Sequence, residues 1–270
     1  MTADYETIRV EITETGIVHI VLNRPRVLNA INTVLMREVT EVLRGLQNDP
    51  AIRCFILSGE GRAFSAGFDL KESAAAGDRS ISDWRRVLEA DFDFVMQFWD
   101  CPKPTISAIH GHCIGGGLEL VVACDIAIAD ETAIFGEPEV RFGSGIVAMI
   151  LPWIVGPKHA KDMLLTGNDQ TTAARAAEIG LVTETVATGR HVERAFEKAQ
   201  EILSAAPLSV ELTKRAINRS FDMRGMRMAL LAAVETDIVI ETSGGPERAE
   251  FNRIRKEQGL KAAIDWRNSR

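Results

Sequence analysis

The chain has 270 residues, of which 46% are hydrophobic and 26% are charged. This balance is typical of a globular protein and excludes intrinsic disorder, and the length suffices for one large domain with a sizeable core. The 31 basic and 38 acidic residues give a net charge of −7, and no Lys/Arg-rich run interrupts the acidic balance. A nucleic-acid partner is therefore not expected.

Targeting and redox signals point to a cytoplasmic protein without a membrane partner. Residues 1–11 are polar and acidic, unlike a signal or transit peptide, and the longest apolar run, 118–129, is shorter than the ~20 residues that span a bilayer. Because the cysteines form no C-x-x-C pair and lie beside apolar stretches, we expect reduced thiols. The four are Cys54, Cys101, Cys113 and Cys124.

The first half of the chain alternates short β-branched runs with amphipathic stretches. Buried strands are predicted over Ile17–Leu22, 54–57 and Thr105–Ile109, and a helix is predicted over Thr33–Leu46. This alternation is typical of βαβ units, whose strands pair in parallel and open at their carboxyl ends onto ligand sites.

The C-terminal third is predicted to be mostly helical. Residues 158–165, 173–179, 192–205 and 207–219 repeat apolar positions with a period near 3.6, and only 181–186 looks extended. The Gly-Gly-Pro at 244–246 predicts a turn between two further helices.

A glycine-containing turn follows the second predicted strand, in the segment Ser-Ala-Gly-Phe-Asp-Leu-Lys at 65–71. Such a turn can leave backbone N–H groups free to face a developing negative charge. An ordinary strand-to-helix turn with Asp69 as the helix cap is the alternative. The residues around Ser65 lack the first glycine of a hydrolase elbow, which disfavours a serine hydrolase.

The most informative segment is His-Gly-His-Cys-Ile-Gly-Gly-Gly-Leu-Glu-Leu at 110–120. Three glycines at a helix start favour an anion or oxyanion site, and neither a P-loop lysine nor a dinucleotide fingerprint is present. Glu119 falls in the first turn of an otherwise apolar helix, where burying a carboxylate is expensive. A carboxylate merely stabilised by the helix N-terminus is the alternative. His110 and His112 lack further ligands at metal spacing, so no metal is expected.

Two more carboxylates, Glu137 and Glu139, flank Pro138 in a segment predicted to be extended. They would share a face unless the proline rotates one of them away. When this segment is considered alone, a solvated acidic loop is the better interpretation. Glu137 is accordingly predicted to be a surface residue.

Together these segments resemble the enoyl-CoA hydratase/isomerase, or crotonase, superfamily along essentially the whole chain. The matching motifs are 22–30 (LNRPRVLNA), 64–70 (FSAGFDL), 111–119 (GHCIGGGLE), 123–127 (ACDIA), 135–139 (FGEPE), 164–167 (LLTG) and 176–182 (AAEIGLV). Their order and spacing are specific to the superfamily but less specific to one reaction.

The resemblance implies an α/β fold, a crotonase-like (ClpP/crotonase) spiral of ββα units over 1–200, with a helical C-terminal oligomerisation region over 201–270. It implies a homotrimer or a hexamer, an acyl-CoA thioester substrate, and no cofactor apart from the coenzyme A of that substrate. Backbone near Phe251 would meet the coenzyme A of a neighbouring subunit. The substrate-binding residues implied are Arg26, Val27, Leu28, Ala66, Gly67, Asp69 and Leu70.

The resemblance also implies the reaction of an enoyl-CoA hydratase, a lyase that adds water across the 2,3 double bond. The backbone N–H groups of Phe68 and Gly116 would form the oxyanion hole. Glu119 would deprotonate water and Glu139 would protonate the α-carbon, since hydration needs both an acid and a base.

One loop departs from the pattern of the hydratases. Their Gly-rich loop after the second glutamate is rewritten and shortened here, over residues 143–153. Two alternatives therefore stay open, a Δ3-Δ2-enoyl-CoA isomerase or another crotonase reaction, and a noncatalytic acyl-CoA- or RNA-binding relative. Both glutamates argue against loss of catalysis, and the acidic balance argues against RNA.

Overall fold

The computed structural model describes residues 5–75, 77 and 79–269 and contains two sheets. The first has six strands in the order β1-β2-β3-β5-β7-β10, and the second has four in the order β4-β6-β8-β9. The strands are β1 (Ile8–Ile12), β2 (Ile17–Leu22), β3 (Cys54–Gly59), β4 (Ala63–Ser65), β5 (Thr105–Ile109), β6 (His112–Ile114), β7 (Ile126–Asp130), β8 (Ile134–Gly136), β9 (Thr171–Thr172) and β10 (Glu184–Val186).

Twelve α-helices lie within the described residues. They are α1 (Thr33–Leu46), α2 (Leu70–Ala75), α3 (Ile81–Asp100), α4 (Gly116–Ala123), α5 (Leu151–Ile154), α6 (Gly156–Thr166), α7 (Ala173–Glu178), α8 (His191–Leu203), α9 (Pro207–Met223), α10 (Met226–Ser243), α11 (Pro246–Gln258) and α12 (Leu260–Asn268). Short 3₁₀ turns cover Pro25–Val27 and Glu139–Phe142. None of these helices combines the length and the apolar character that crossing a membrane requires.

Consecutive strands are shared between the two sheets, which confirms the predicted spiral of ββα units. β3 and then β4, β5 and then β6, and β7 and then β8 each give one strand to the large sheet and the next to the small sheet. The neighbours β2, β3, β5 and β7 pair in parallel, as do β4, β6 and β8. The carboxyl ends of β2, β3, β5 and β7 therefore lead into the short strands and turns that carry the conspicuous motifs.

The central strands β2, β3, β5 and β7 of the large sheet are buried on both faces, which explains why they are nearly continuous apolar runs. In β2, Val18 and Ile20 pack into the main core with α1 and α3, whereas Ile17 faces a second cluster that includes Ala195 and Ala199 of α8. The predicted strands and C-terminal helices are confirmed to within a few residues, and the predicted turn at 244–246 joins α10 to α11. The four cysteines are unpaired and buried.

Candidate active site

The carboxyl ends of the strands open onto a cavity of about 620 Å³. Its walls come from the turns after β4 and β6, from the segment around the second 3₁₀ turn, from α3, and from the C-terminal helices α10 to α12. The residues singled out in the sequence that line it are Leu28, Ala66, Phe68, Asp69, Leu70, Gly116, Glu119, Glu139 and Phe251. Residues far apart in the chain thus meet around one space large enough for a small acyl group.

Glu119 projects from the first turn of α4, in which every residue is buried. Its Oε1 accepts the backbone N–H of Val147 at 3.2 Å, and its Oε2 accepts the backbone N–H of Ala148 at 3.1 Å. Both donors belong to the rewritten segment 143–153. The carboxylate is 3% exposed, and each oxygen keeps a lone pair for a further donor such as water.

The two predicted oxyanion donors are close to one another. Ile31 and Phe68 form a parallel bridge in which Ile31 donates to the Gly67 carbonyl and Asp69 donates to the Ile31 carbonyl. This pattern turns the Phe68 N–H away from Ile31. Gly116 is the first residue of α4, where a backbone N–H has no partner within the helix.

Glycine is required where these two turns meet. At Gly67, whose φ is +84°, a Cβ would lie 3.2 Å from the amide nitrogen of Gly116 and 2.8 Å from the Ile114 carbonyl oxygen. A Cβ on Gly116 would lie 2.6 Å from the ring of Phe68. The close contact of the two turns depends on bare backbone on both sides.

Glu137 is buried, and its favoured interpretation as a surface residue is wrong. The segment is not extended: Pro138 has φ −84° and ψ 5°, and Glu139 starts the 3₁₀ turn. The turn places Glu137 and Glu139 close enough for each carboxyl to change the pKa of the other, and Oε2 of each is buried without a hydrogen-bond partner among the described residues. Glu137 is 2% exposed, whereas Glu139 lines the cavity and has its Oε1 next to Gly115, where a Cβ would lie 2.3 Å away.

The three glutamates cannot all be ionised together. Burial raises the pKa of Glu119 and of Glu137 well above the usual range of a glutamate, and repulsion from Glu139 raises both further. Burial likewise raises the pKa of Glu139 to about 7. Carboxyls so close in a dry site share protons, which allows one to act as an acid while another is a base.

The residues implied for coenzyme A binding divide into two groups. Arg26 is exposed and Val27 is half-buried on the first 3₁₀ turn, and neither is among the described residues that line the cavity. Leu28, with φ 53°, accepts the Ala66 N–H at 2.9 Å, so this turn packs directly on the one that bears Phe68.

Asp69 and Ser65 have structural partners. Asp69 accepts from Arg24 at 2.9 Å and from the Lys71 N–H at 3.0 Å at the start of α2, as the capping alternative predicts. The Ser65 hydroxyl donates to the Asn29 carbonyl at 2.9 Å and accepts the Gly67 N–H at 3.2 Å. It therefore supports the turn and is not placed as a nucleophile.

Phe251, which the resemblance singled out, stacks on Phe142 with ring centroids 5.1 Å apart. Other cavity residues were not predicted from the sequence, because they belong to helices that carry none of the family motifs. They are Trp84 and Asp91 of α3, Asp237 and Glu241 of α10, and Arg267 of α12. For Asp237 the sequence did contain one indication of burial. It is an acidic residue next to the apolar run 238–240, which is comparable to the pattern around Glu119.

Comparisons with known proteins agree with this architecture. A family model described as enoyl-CoA hydratase/isomerase matches residues 12–240. A probable enoyl-CoA hydratase of Rhizobium meliloti is 38% identical over 228 residues, which cover 81% of this chain and 84% of the relative. A hydroxycinnamoyl-CoA hydratase-lyase of Pseudomonas fluorescens is 31% identical, over 97% of this chain and 93% of the relative.

A solved structure gives the same result. The crystal structure of an enoyl-CoA hydratase/isomerase from Xanthobacter autotrophicus Py2 superposes with a TM-score of 0.95 at 44% identity, covering 98% of both chains. The chain belongs to the enoyl-CoA hydratase/isomerase family, within the crotonase superfamily.

Proposed function

We propose that the protein is an enoyl-CoA hydratase that adds water reversibly across the 2,3 double bond of an acyl-CoA thioester. The observation that carries this proposal is the meeting, in one cavity, of two separate carboxyl groups with two neighbouring backbone amides. Hydration needs a base for water, an acid for the α-carbon and donors for the enolate oxygen. The cavity offers one group for each task.

Glu119 is the base in this proposal. The two amide N–H groups of Val147 and Ala148 stabilise its ionised form and fix its orientation, although burial opposes ionisation. The carboxylate takes a proton from water as the water oxygen bonds to the β-carbon. The electron pair of the double bond moves onto the thioester oxygen, which the N–H groups of Phe68 and Gly116 stabilise.

Glu139 is the acid, and Glu137 is a positioning residue that acts through it. Two neighbouring carboxyls with raised pKa values in a buried site hold at least one proton between them, so the pair forms a proton reservoir next to the α-carbon. Glu139, which lines the cavity, delivers this proton to the α-carbon. The proton that Glu119 took from water then passes to the Glu137–Glu139 pair, which restores the starting state of all three carboxyls.

Oligomerisation and coenzyme A binding follow from the same proposal. The C-terminal helices α9 and α10 expose large apolar side chains, which supports a homotrimer or a hexamer assembled through this region. They are Leu208, Leu212, Ile217, Met223, Met228, Leu231, Val239 and Ile240. The 3₁₀ turn that carries Arg26 is exposed beside the cavity turns and supports a role in holding coenzyme A.

The proposal is tested with crotonyl-CoA and longer enoyl-CoA thioesters, by following the loss of the absorbance of the conjugated enoyl group. We expect Glu119→Gln and Glu139→Gln each to lower kcat by about 10² to 10⁴-fold. Glu131→Gln, at an exposed position on the turn after β7, is the matched control and should keep wild-type activity.

An isomerase gives a different result in the same assay. A 3-enoyl-CoA would then gain absorbance, whereas 2-enoyl-CoA thioesters would keep theirs. Wild-type turnover by Glu119→Gln would contradict the role of this residue as the base.

A further inference from the structure

Asp237 of α10 is a buried carboxyl group that the proposed reaction does not use. It is 2% exposed, and neither of its oxygens has a hydrogen-bond partner among the residues that the structure describes. It nevertheless belongs to the wall of the active-site cavity. Burying a carboxylate without a partner is expensive, so an unpaired one at a cavity wall points to a ligand that supplies the missing partner.

The nearby cation does not fill this role, because it is engaged elsewhere. Arg248 pairs with Glu241, one turn after Asp237 on α10, with Nη2 and Oε2 2.5 Å apart. It also donates to the Glu241 backbone carbonyl at 2.7 Å and to the Ser144 hydroxyl at 3.2 Å. Glu241 is therefore fully partnered and Asp237 is not.

The rewritten loop is shaped around this carboxyl. A Cβ on Gly145 would lie 1.9 Å from Asp237 Oδ1, so a side chain at position 145 would displace either the loop or the carboxyl. The loop remains close to Asp237 because the neighbouring Gly145 N–H donates to Glu241 at 3.3 Å. The segment in which this chain departs from the usual hydratase pattern is thus the segment that contacts Asp237.

The surroundings of Asp237 limit what the ligand group can be. Asp91 of α3 lines the same wall, and the carboxyls of Glu119 and Glu139 repel that of Asp237. An acyl group that ends in a carboxylate would add a further negative charge there. Both oxygens of Asp237 lack a partner, and a group that can both donate and accept bonds to the carboxyl in either of its protonation states. A hydroxyl group does both.

We propose that Asp237 is a specificity-determining residue that forms a hydrogen bond with a hydroxyl group carried by the acyl chain of the substrate. The apolar and aromatic side chains of Trp84, Val87 and Leu88 line the cavity with it and suit an acyl group that is otherwise apolar. The substrate class is therefore a hydroxylated acyl-CoA. This inference rests on the proposed function only in that the ligand is an acyl-CoA thioester. It does not depend on the hydration reaction.

The test is a binding measurement that needs no turnover. Calorimetry compares 3-phenylpropanoyl-CoA with its 3-hydroxyphenyl and 4-hydroxyphenyl analogues, which have no double bond to hydrate. We expect at least one hydroxylated thioester to bind the wild type about 10- to 100-fold more tightly than the parent, because its hydroxyl group forms a hydrogen bond with the Asp237 carboxyl. Asp237→Leu should reduce this ratio to within about 2-fold.

Two further variants keep the result interpretable. Asp237→Asn has the shape of aspartate and keeps an acceptor, so it should retain part of the preference even where the leucine variant folds poorly by circular dichroism. Asp93→Asn changes an exposed carboxylate on α3 and should keep the wild-type ratio.

Each outcome decides the proposal. Equal binding of all three thioesters to the wild type, binding of none, or an unchanged ratio in a folded Asp237→Leu protein overturns it. A clear hydroxyl preference in a protein that fails to hydrate any enoyl-CoA supports it and contradicts the proposed hydratase activity instead.

Discussion

The Glu119 carboxylate accepts the backbone N–H of Ala148 at 3.1 Å, so a residue of α4 is held by the loop that precedes α5. At its other end the same loop is held by Glu241, which accepts the Ser144 hydroxyl and the Gly145 N–H. The segment 144–148 is therefore fixed between the cavity-lining carboxylate of Glu119 and a carboxylate of the C-terminal helices.

This arrangement predicts that Arg248 matters for both stability and turnover. Arg248→Met leaves the 5%-exposed Glu241 side chain without its cation and should lower the free energy of unfolding by about 3 kcal/mol. It should also lower kcat about 10-fold, because a looser loop no longer orients Glu119. Denaturant unfolding and the hydratase assay measure both effects.

The control for Arg248 lies on the same helix. Arg253→Met removes an exposed arginine that pairs with Glu250 and Glu257, and should cost less than about 1 kcal/mol with no change in kcat. Equal effects of the two substitutions would contradict the importance of the loop contact.

The Glu137–Glu139 pair predicts the pH dependence of hydration. The acid form of the pair is present at low pH, so kcat/KM should fall as the pH rises and the pair loses its last proton, at a pH above about 7. Glu137→Gln removes the carboxyl with the strongly raised pKa, so the last proton of the site then leaves from Glu139 alone, whose pKa is about 7. The descending limb should move to lower pH by about one unit.

A pH–rate profile from pH 5 to 10 measures this shift, with Glu131→Gln as the control that should reproduce the wild-type curve. A descending limb that stays in place in Glu137→Gln would show that Glu137 acts only as a packing residue.

The contact between Phe68 and Gly116 predicts a cost for a single added methyl group. Gly116→Ala places a Cβ 2.6 Å from the Phe68 ring, so the two turns must separate. Because the N–H groups of an oxyanion hole stabilise charge only when they point at the oxyanion, kcat should fall by about 10² to 10³-fold. The comparison is Gly45→Ala in the last turn of α1, where a Cβ meets nothing within 4 Å.

We expect Gly45→Ala to keep its activity and to gain about 0.5 to 1 kcal/mol of stability from its better helix propensity. Retention of full activity by Gly116→Ala would contradict the proposed oxyanion hole.

Asp237 predicts a pH-dependent stability. Burial raises the pKa of its carboxyl from 3.8 in the unfolded chain to about 7, so folding favours the protonated form. The contribution is present in full below pH ~4 and is lost as the pH rises to ~7. The side chain of Asp237→Asn does not titrate. Between pH ~4 and pH ~7 the free energy of unfolding of this variant should therefore rise relative to that of the wild type by a few kcal/mol, up to about 4 when the pKa shift is converted to free energy.

Thermal unfolding of the two proteins at pH 4.5 and pH 8 checks the sign. Asp93→Asn, an exposed change, should shift Tm by the same small amount at both pH values. Parallel curves for Asp237→Asn and the wild type would show that Asp237 already has a partner.

The sequence by itself determined the buried strands β2, β3 and β5, the helix α1, the C-terminal helices α6 to α9, and the positions of Glu119 and the glycine turns. Burial on both faces of a parallel sheet produces apolar runs such as Ile17–Leu22, and a carboxylate in an apolar helix is conspicuous in any sequence. The local chemistry of glycine likewise marks turns without reference to the rest of the chain. The family motifs added the order of these elements.

Only the tertiary structure decided which side chains share the cavity. Glu137 could be solvated or buried, and the backbone angles at Pro138 together with the packing around it decided for burial. Asp237 and Glu241 lie more than 90 positions beyond the loop that they contact, and no local pattern encodes such a pairing. Helix packing brings them there, because it depends on the sum of many apolar contacts and not on a motif.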